Sequence, residues 1–323
     1  MAEAAFVTGG SGFIGGRLVQ RLVGEGRTVR ALARSEASAA RVAELGAEPV
    51  RGDLDDPASL AAGAMGTEVA FHLAAHLGEW GPWAEFERGN VLGTENMLAA
   101  CAGAGVNRFV HCGTEAALMA GQPLVHVDET APLRSDSRAP YPATKARAEQ
   151  AVREAAREGF ETVAVRPRFV WGKGDTTLLP EMVATVEAGR FAWVGGGRNV
   201  TDTTHVDNVV EGLILAAEKG RSGEAYFVTD GEPVVFREFV TALLRTQGVE
   251  PPDRSLPAWT AAPMARLCEA AWKVLPLPGE PPMTTFRSWL LTQECTIEIA
   301  KAREELGYAP AVSHEQGLAE LSR

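Results

Sequence analysis

The sequence predicts an α/β protein: a doubly wound parallel sheet covered by helices on both faces, with a smaller, discontinuous C-terminal lobe. Three observations predict it. Short apolar segments alternate with segments of helical period from the first residues onward. A glycine-rich stretch, Thr8-Gly9-Gly10-Ser11-Gly12-Phe13-Ile14-Gly15, falls between the first strand and the first helix. The length of 323 residues exceeds one small module. It suits about two domains at ~150 residues each, or one large unit with an appended lobe.

Residues 4–8 form a short apolar strand. Phe13, Ile14, Leu18 and Leu22 recur at helical spacing, which predicts a helix over 13–23. A strand over 28–33 and a helix over 38–45 repeat the unit. Strands over 48–52, 68–73 and 108–112 are separated by helices over 57–63 and 85–104. A helix over 140–158 leads to a sixth strand over 162–166. Right-handed crossovers then place helices on both faces of the sheet. After Pro167 the pattern changes. Glycines at 172, 174 and 195–197 punctuate shorter elements, and Pro251-Pro252, Pro276, Pro278 and Pro281-Pro282 interrupt a helix-rich tail. The division is drawn near residue 170, with a first domain over 1–170 and a second lobe over 171–323. Parts of the second lobe, within 203–230, are expected to return to the first domain, chiefly 206–217 and 225–228.

Apolar residues make up 46% of the chain and charged residues 23%, which excludes disorder as a description of the whole. The net charge of −11 disfavours nonspecific binding to nucleic acid or to an anionic membrane. No run reaches the ~18 uninterrupted apolar residues of a transmembrane helix. Met1 to Val7 carries no basic region of a signal peptide. Cys101, Cys112, Cys268 and Cys295 form no Cys-x-x-Cys pair, and they read as free thiols of a reducing cytoplasm. His72 and His76 lie four apart without a His-Glu-x-x-His pattern, so no metal site is expected.

The glycine stretch reads as a dinucleotide site. Gly9 permits a tight turn, Gly12 lets backbone approach a pyrophosphate, and Gly15 allows close packing of helix on strand. Ser11, Phe13 and Ile14 lie in the same loop and first turn, where helix N–H groups face the phosphates. The end of the second strand, Ala33-Arg34-Ser35, lacks the acid that would bind both ribose hydroxyls. Arg34 paired with a 2′-phosphate and Ser35 donating to it favour NADP, with NAD as the alternative. Asp53 and Leu54 follow the third strand, where Asp53 suits the adenine amino group or a turn.

Tyr141-Pro142-Ala143-Thr144-Lys145 opens a helix and sets Tyr141 and Lys145 on one face at i, i+4. The ammonium is expected to lower the phenol pKa and suit Tyr141 to exchanging a proton with a carbonyl or alkoxide. The two motifs together make the chain resemble the extended short-chain dehydrogenases/reductases, over nearly the whole length. Phe71-His72-Leu73-Ala74-Ala75, Asn90-Val91-Leu92-Gly93-Thr94, Arg166-Pro167, Trp171-Gly172, His205-Val206-Asp207-Asn208 and residues 301–308 also match. The resemblance implies a Rossmann fold, with Tyr141 as general acid/base and Lys145 on the nicotinamide ribose. It implies that Thr114 polarises the carbonyl and that Asn90 supports a proton relay. It sets Leu73, Ala74, Ala75 and Pro167 beside the nicotinamide. Cys112-Gly113-Thr114 departs from the run of serines usual there.

Within that branch the chain is most similar to the 3β-hydroxysteroid dehydrogenase-like group, which includes 2-alkyl-3-oxoalkanoate reductases. Sugar-nucleotide epimerases of the branch carry Arg and Asn where Thr201 and Phe169 stand here. Trp80, Trp83, Thr114, Phe169 and Trp171 are therefore expected around a small hydrophobic substrate, with the amphipathic stretch 259–275 as a cover or an ordinary packing helix. Interconversion of a hydrophobic ketone and a secondary alcohol is the reading. A nucleotide-sugar epimerase or dehydratase, and a cofactor-binding redox sensor without turnover, stay open beside it. Family analogy implies a homodimer through the helices over 85–104 and 140–158.

Overall fold

A computed structural model describes residues 4–275 and 277–322. Residues 1–3, Pro276 and Arg323 lie outside the described residues, and with them the break read at Pro276 and the first residues of the N-terminal reading. Seven strands form the central sheet: β1 (Ala5–Thr8), β2 (Val29–Ala33), β3 (Glu48–Arg51), β4 (Val69–His72), β5 (Arg108–Cys112), β6 (Glu161–Pro167) and β7 (Glu224–Val228). Their order is β7-β6-β5-β4-β1-β2-β3, and every pairing is parallel. The order reverses between β1 and β4, so a crevice opens at the carboxyl ends of these two strands.

Interior strands are apolar on both faces because helices cover both. Successive residues point to opposite sides. Val7, Phe71, Val110 and Val165 belong to one core, with Val19 and Leu22 of the helix Phe13–Gly24 and Val209 and Leu213 of the helix Val206–Lys219. Phe6, Ala70 and Phe109 belong to the other, with Leu60, Met97 and Val152 from the helices Pro57–Ala64, Gly93–Gly103 and Pro140–Glu154. The edge strand β3 exposes Glu48, Pro49 and Arg51, residues that discourage a further strand from pairing there.

Local signals shift several expected boundaries. The second helix begins at Glu36, two residues early, because Ser35 caps it and forms a capping box with Ser38. The segment expected as one helix over 85–104 runs as Trp83–Phe86, a wider π-type turn Glu87–Leu92, and Gly93–Gly103. The helix expected over 140–158 stops at Glu154, because Arg157 and Phe160 form a backbone bridge around Gly159. That helix is anchored to β6 by the Arg166–Glu149 pair, both side chains fully buried, with Nε to Oε2 at 2.9 Å. The anchor fixes where Tyr141 and Lys145 meet the sheet end.

The second lobe has its own sheet of Val234–Val235, Val200–Thr201, Cys295–Ile297 and Leu124–Val127. Two short pairs, Val170–Trp171 with Thr204–His205 and Trp193–Val194 with Ser255–Leu256, complete it. Its core gathers Trp171, Trp193, Phe236, Phe239 and Leu243. Among the described residues no helix is long and apolar enough to cross a membrane.

Candidate active site

The glycine loop leaves β1 and enters the helix Phe13–Gly24 at the crevice. Gly9 has φ +74°, and a Cβ there would meet Ala74 N at 2.8 Å. A Cβ on Gly15 would lie 2.1 Å from Gly9 O. These contacts are why the loop is glycine at both positions. Gly12 precedes the helix and offers no side-chain cap, so the first-turn N–H groups of Phe13 and Ile14 stay available to an anion. Ser11 is exposed at the loop tip. Arg34 is exposed at the end of β2 and has no ion-pair partner among the described residues. The Ser35 hydroxyl accepts from Ser38 N at 3.1 Å, so its first task is the helix cap. Asp53 and Leu54 are half-buried after β3, and the Leu54 carbonyl accepts from Asn96 Nδ2 at 2.9 Å.

Beneath the loop after β4 lies a chain of buried hydrogen bonds. Thr94 Oγ1 donates to Asn90 O at 2.6 Å, so His72 Nε2 must donate to Thr94 at 3.0 Å. His72 Nδ1 then accepts from Thr8 Oγ1 at 2.8 Å, and Thr8 Oγ1 accepts from Ala74 N at 3.2 Å. Burial, aided by the Lys145 ammonium, lowers the His72 imidazole to about 3. Asn90 sits in the π-type turn. It accepts from His76 N at 2.7 Å and donates to His76 O at 3.2 Å and to Thr144 Oγ1 at 3.0 Å. It thus ties the loop carrying Leu73, Ala74 and Ala75 to the helix carrying Tyr141 and Lys145.

Lys145 is buried, and its Nζ donates to Cys112 O at 3.0 Å and approaches His111 Nε2 at 3.4 Å. Burial lowers its ammonium below the ordinary lysine value. Thr114 follows β5 and caps the short helix Glu115–Leu118. Its hydroxyl donates to Glu115 Oε2 at 2.8 Å and accepts from Ala116 N at 3.2 Å. Pro167 ends β6 opposite Val228.

Three expectations are corrected. The Tyr141 phenol is pushed above the ordinary tyrosine value, by burial first and the Glu115 carboxylate second. The i, i+4 spacing from Lys145 does not lower it, because the ammonium is drawn to the end of β5. Trp171 is not a pocket wall. It is 1% exposed, donates from Nε1 to Asp230 Oδ2 at 2.8 Å, and packs against His205, Phe239 and His314. Phe169 is half-buried at φ +42°, edge-on to Phe236 and Phe239, and so belongs to the same aromatic core. Trp80 stays partly exposed, with Lys273 over its ring at 5.8 Å.

Residues that sequence reasoning missed also meet here. Phe286, opening the helix Thr285–Thr292, lies 5.8 Å from the Tyr141 ring, with Trp289 edge-on to it. Glu115 and Arg168 form a buried pair at 2.5 Å behind Thr114. No periodicity in the sequence links these positions. His205, Asp207 and Glu320 bring three ligand-type atoms within 4.8 Å, but Asp207 is held by the Arg17 guanidinium. An open hollow of about 230 Å³ on the second lobe is lined by Val194, Arg198, Asn199, Ala258, Leu291 and Glu294, and Tyr141, Thr114 and Lys145 take no part in it.

A family model described as the 3-beta hydroxysteroid dehydrogenase/isomerase family matches residues 6–258. The chain belongs to that family. It is similar, at 49% identity over 97% of this chain and 94% of the relative, to a 4-hydroxy-2-methyl-3-oxo-4-farnesyl-3,4-dihydroquinoline-1-oxide ketoreductase of Stigmatella aurantiaca. It is 39% identical, over 98% of this chain and 97% of the relative, to a 2-alkyl-3-oxoalkanoate reductase of Stenotrophomonas maltophilia. A solved dTDP-glucose 4,6-dehydratase mutant of Streptomyces venezuelae, with NAD bound, superposes with TM-score 0.78 at 25% identity, over 99% of this chain and 95% of that one. This 3β-hydroxysteroid dehydrogenase family member is an NAD(P)-dependent oxidoreductase that interconverts ketone and alcohol, built on the extended short-chain dehydrogenase/reductase fold.

Proposed function

We propose that the protein reduces a hydrophobic ketone with NADPH, with Tyr141 as the proton donor. The observation that carries this reading is a Tyr141 phenol raised above the ordinary tyrosine value by burial first and the Glu115 carboxylate second, and faced by the Phe286 ring at 5.8 Å. A group that must give a proton to a developing alkoxide works best when it is protonated at the working pH. The glycine cradle fits a dinucleotide, since a Cβ at Gly9 or Gly15 would collide with backbone. Gly9, Ser11, Gly12, Phe13, Ile14 and Gly15 would hold the diphosphate, Arg34 and Ser35 the 2′-phosphate, and Asp53 and Leu54 the adenine. Leu73, Ala74, Ala75 and Pro167 would flank the nicotinamide, and Lys145 its ribose. When bound, the nicotinamide supplies the hydride.

The chain's own residues do the rest. Asn90 holds the loop over the crevice through His76. Phe286 lies beside the phenol ring at 5.8 Å, with Trp289 edge-on to it, so the wall offered to a substrate is aromatic. A hydrophobic ketone is supported by the relatives, one named for a farnesylated quinoline ketone and one for 2-alkyl-3-oxoalkanoates. Thr201 and Phe169, in place of the epimerase Arg and Asn, favour this reading over a sugar nucleotide. A homodimer through the helices Gly93–Gly103 and Pro140–Glu154, in the cytoplasm, completes the proposal by family analogy.

The test is Tyr141→Phe. It removes one hydroxyl, so fold and NADPH binding persist while ketone reduction falls by ~10²–10⁴-fold. Turnover within a few-fold of wild type refutes the assignment.

A further inference from the structure

The helix Thr285–Thr292 carries Phe286, and two carboxylates grip its first turn. Glu269, on the helix Ala261–Val274, accepts from Thr285 N at 2.6 Å and from Thr285 Oγ1 at 2.9 Å. Glu79, in the loop after β4, accepts from Thr284 Oγ1 at 2.9 Å and from Arg287 Nε at 2.8 Å, both on its Oε2. Thr284 caps the helix, since its hydroxyl oxygen takes the Arg287 N–H at 3.0 Å. Negative charge at this end also suits the helix dipole.

The two grips differ in what they join. Glu269 fastens the turn to a neighbouring helix. Glu79 fastens it to the loop that continues from Leu73, Ala74 and Ala75. Asn90 ties that same loop, at His76, to Thr144 of the helix Pro140–Glu154, on which Tyr141 sits. The connections from Glu79 therefore end on both sides of one ring contact. Phe286 stands in sequence between Thr284 and Arg287, the two residues that Glu79 holds, and its ring centroid is 5.8 Å from that of Tyr141. Thr284, Phe286 and Arg287 share one helical turn, so a shift of that turn moves the aromatic wall with it.

We propose that Glu79 is a positioning residue that sets substrate specificity: by bridging Thr284 and Arg287 to the loop after β4, it fixes the Phe286 wall beside Tyr141 and so decides how firmly the site grips the alkyl part of a ketone. Glu79 takes no part in the transfer of hydride or proton. It acts through Phe286. A wall held in place gives each added methylene a surface to bury against, and a wall free to shift gives up part of that contact. A substrate with a short chain gains little from the wall and is indifferent to its position.

The proposal rests on the site being one for an apolar ketone, and its test does not depend on turnover. Ketones of the 3-oxoalkanoate series, of rising alkyl length, are titrated calorimetrically into protein loaded with NADP+, a pair in which neither partner carries the hydride. In Glu79→Ala, Arg287 keeps Glu181 at 3.0 Å, so its guanidinium retains an ion-pair partner. The longest ketone should bind this variant roughly tenfold more weakly than wild type, and the shortest should stay within about twofold. Glu79→Gln, whose amide oxygen accepts the same two hydrogen bonds, should recover most of the loss. Added to Phe286→Ala, Glu79→Ala should have little further effect, because the wall it positions is gone. No loss, a loss equal at every chain length, or a full second loss in the Phe286→Ala background overturns the proposal. Should Glu79→Ala not fold, Arg287→Leu cuts the bridge from the other side and is judged by the same length dependence. Tyr141→Phe, assayed for reduction with NADPH, judges the proton donor separately: if it is fully active that reading falls, while the pattern of Kd values still decides for or against Glu79.

Discussion

Arg34 and His72 show how one side chain carries a separable part of the account. Arg34 stands exposed at the end of β2 without an ion-pair partner among the described residues, so its charge is not consumed by the fold. A charged hydrogen bond to a phosphate is worth ~1.5–3 kcal/mol, tenfold or more in affinity. Arg34→Ala should therefore lower kcat/KM for NADPH at least about tenfold and leave NADH nearly unchanged; equal losses with both cofactors would mean that Arg34 does not read the 2′-phosphate. His72 is fully buried and neutral, held at about 3 against 6.5 when exposed. Its folded pKa is depressed, so the unfolded chain binds the extra proton first. The stability it contributes is complete above pH 6.5 and is lost as pH falls toward 3. Between pH 7 and pH 5 this single group costs about 2 kcal/mol. Urea unfolding of wild type and His72→Gln at both pH values checks it: the variant's stability should fall by about 2 kcal/mol less across the interval. Identical slopes would contradict the neutral-imidazole assignment.

At the scale of elements, the most legible features were those that require a particular residue type. The Gly9 turn needs positive φ and the Gly15 helix entry needs an absent Cβ, so residues 8–15 announce a strand–turn–helix unit. Gly15→Ala would set a methyl 2.1 Å from Gly9 O. The loop must then open, and NADPH Kd measured by fluorescence titration should rise at least about tenfold, or 1.4 kcal/mol; an unchanged Kd would place the cofactor elsewhere. Features set by packing were less legible. The π-type turn at Glu87–Leu92 carries no compositional mark, yet it aims Asn90 at His76 and Thr144. The second helix started early because Ser35, read for its hydroxyl chemistry, also caps. The Glu115–Arg168 pair joins residues 53 apart, and Phe286 reaches Tyr141 from the far lobe; neither distance leaves a periodic trace. Trp171 was misread because an aromatic beside a glycine suits a pocket wall and a core equally well, and only its Asp230 bond and ring contacts decide.

For the whole molecule, the central sheet opens a crevice at the carboxyl ends of β1 and β4, and the segment around Thr284 packs against the loop after β4. Contacts between the two are polar as well as apolar. Glu79, after β4, accepts from Thr284 Oγ1 at 2.9 Å and pairs with Arg287 at 2.8 Å, and Arg287 also reaches Glu181 at 3.0 Å. That junction sets Phe286 beside the phenol with Trp289 edge-on to it, and in the proposed function this aromatic wall would favour an apolar ketone. Burial at ~25 cal/mol per Å² makes each added methylene worth up to ~0.8 kcal/mol. The most direct test is one competitive panel: kcat/KM with NADPH for 3-oxoalkanoates of rising alkyl length and for steroid ketones, with UDP- and dTDP-sugars as inhibitors and as epimerisation substrates. The account predicts that kcat/KM climbs several-fold per two methylenes until the wall is filled, while sugar nucleotides neither inhibit at micromolar concentration nor epimerise. Micromolar binding or epimerisation of a sugar nucleotide, with no trend along the ketone series, would contradict it.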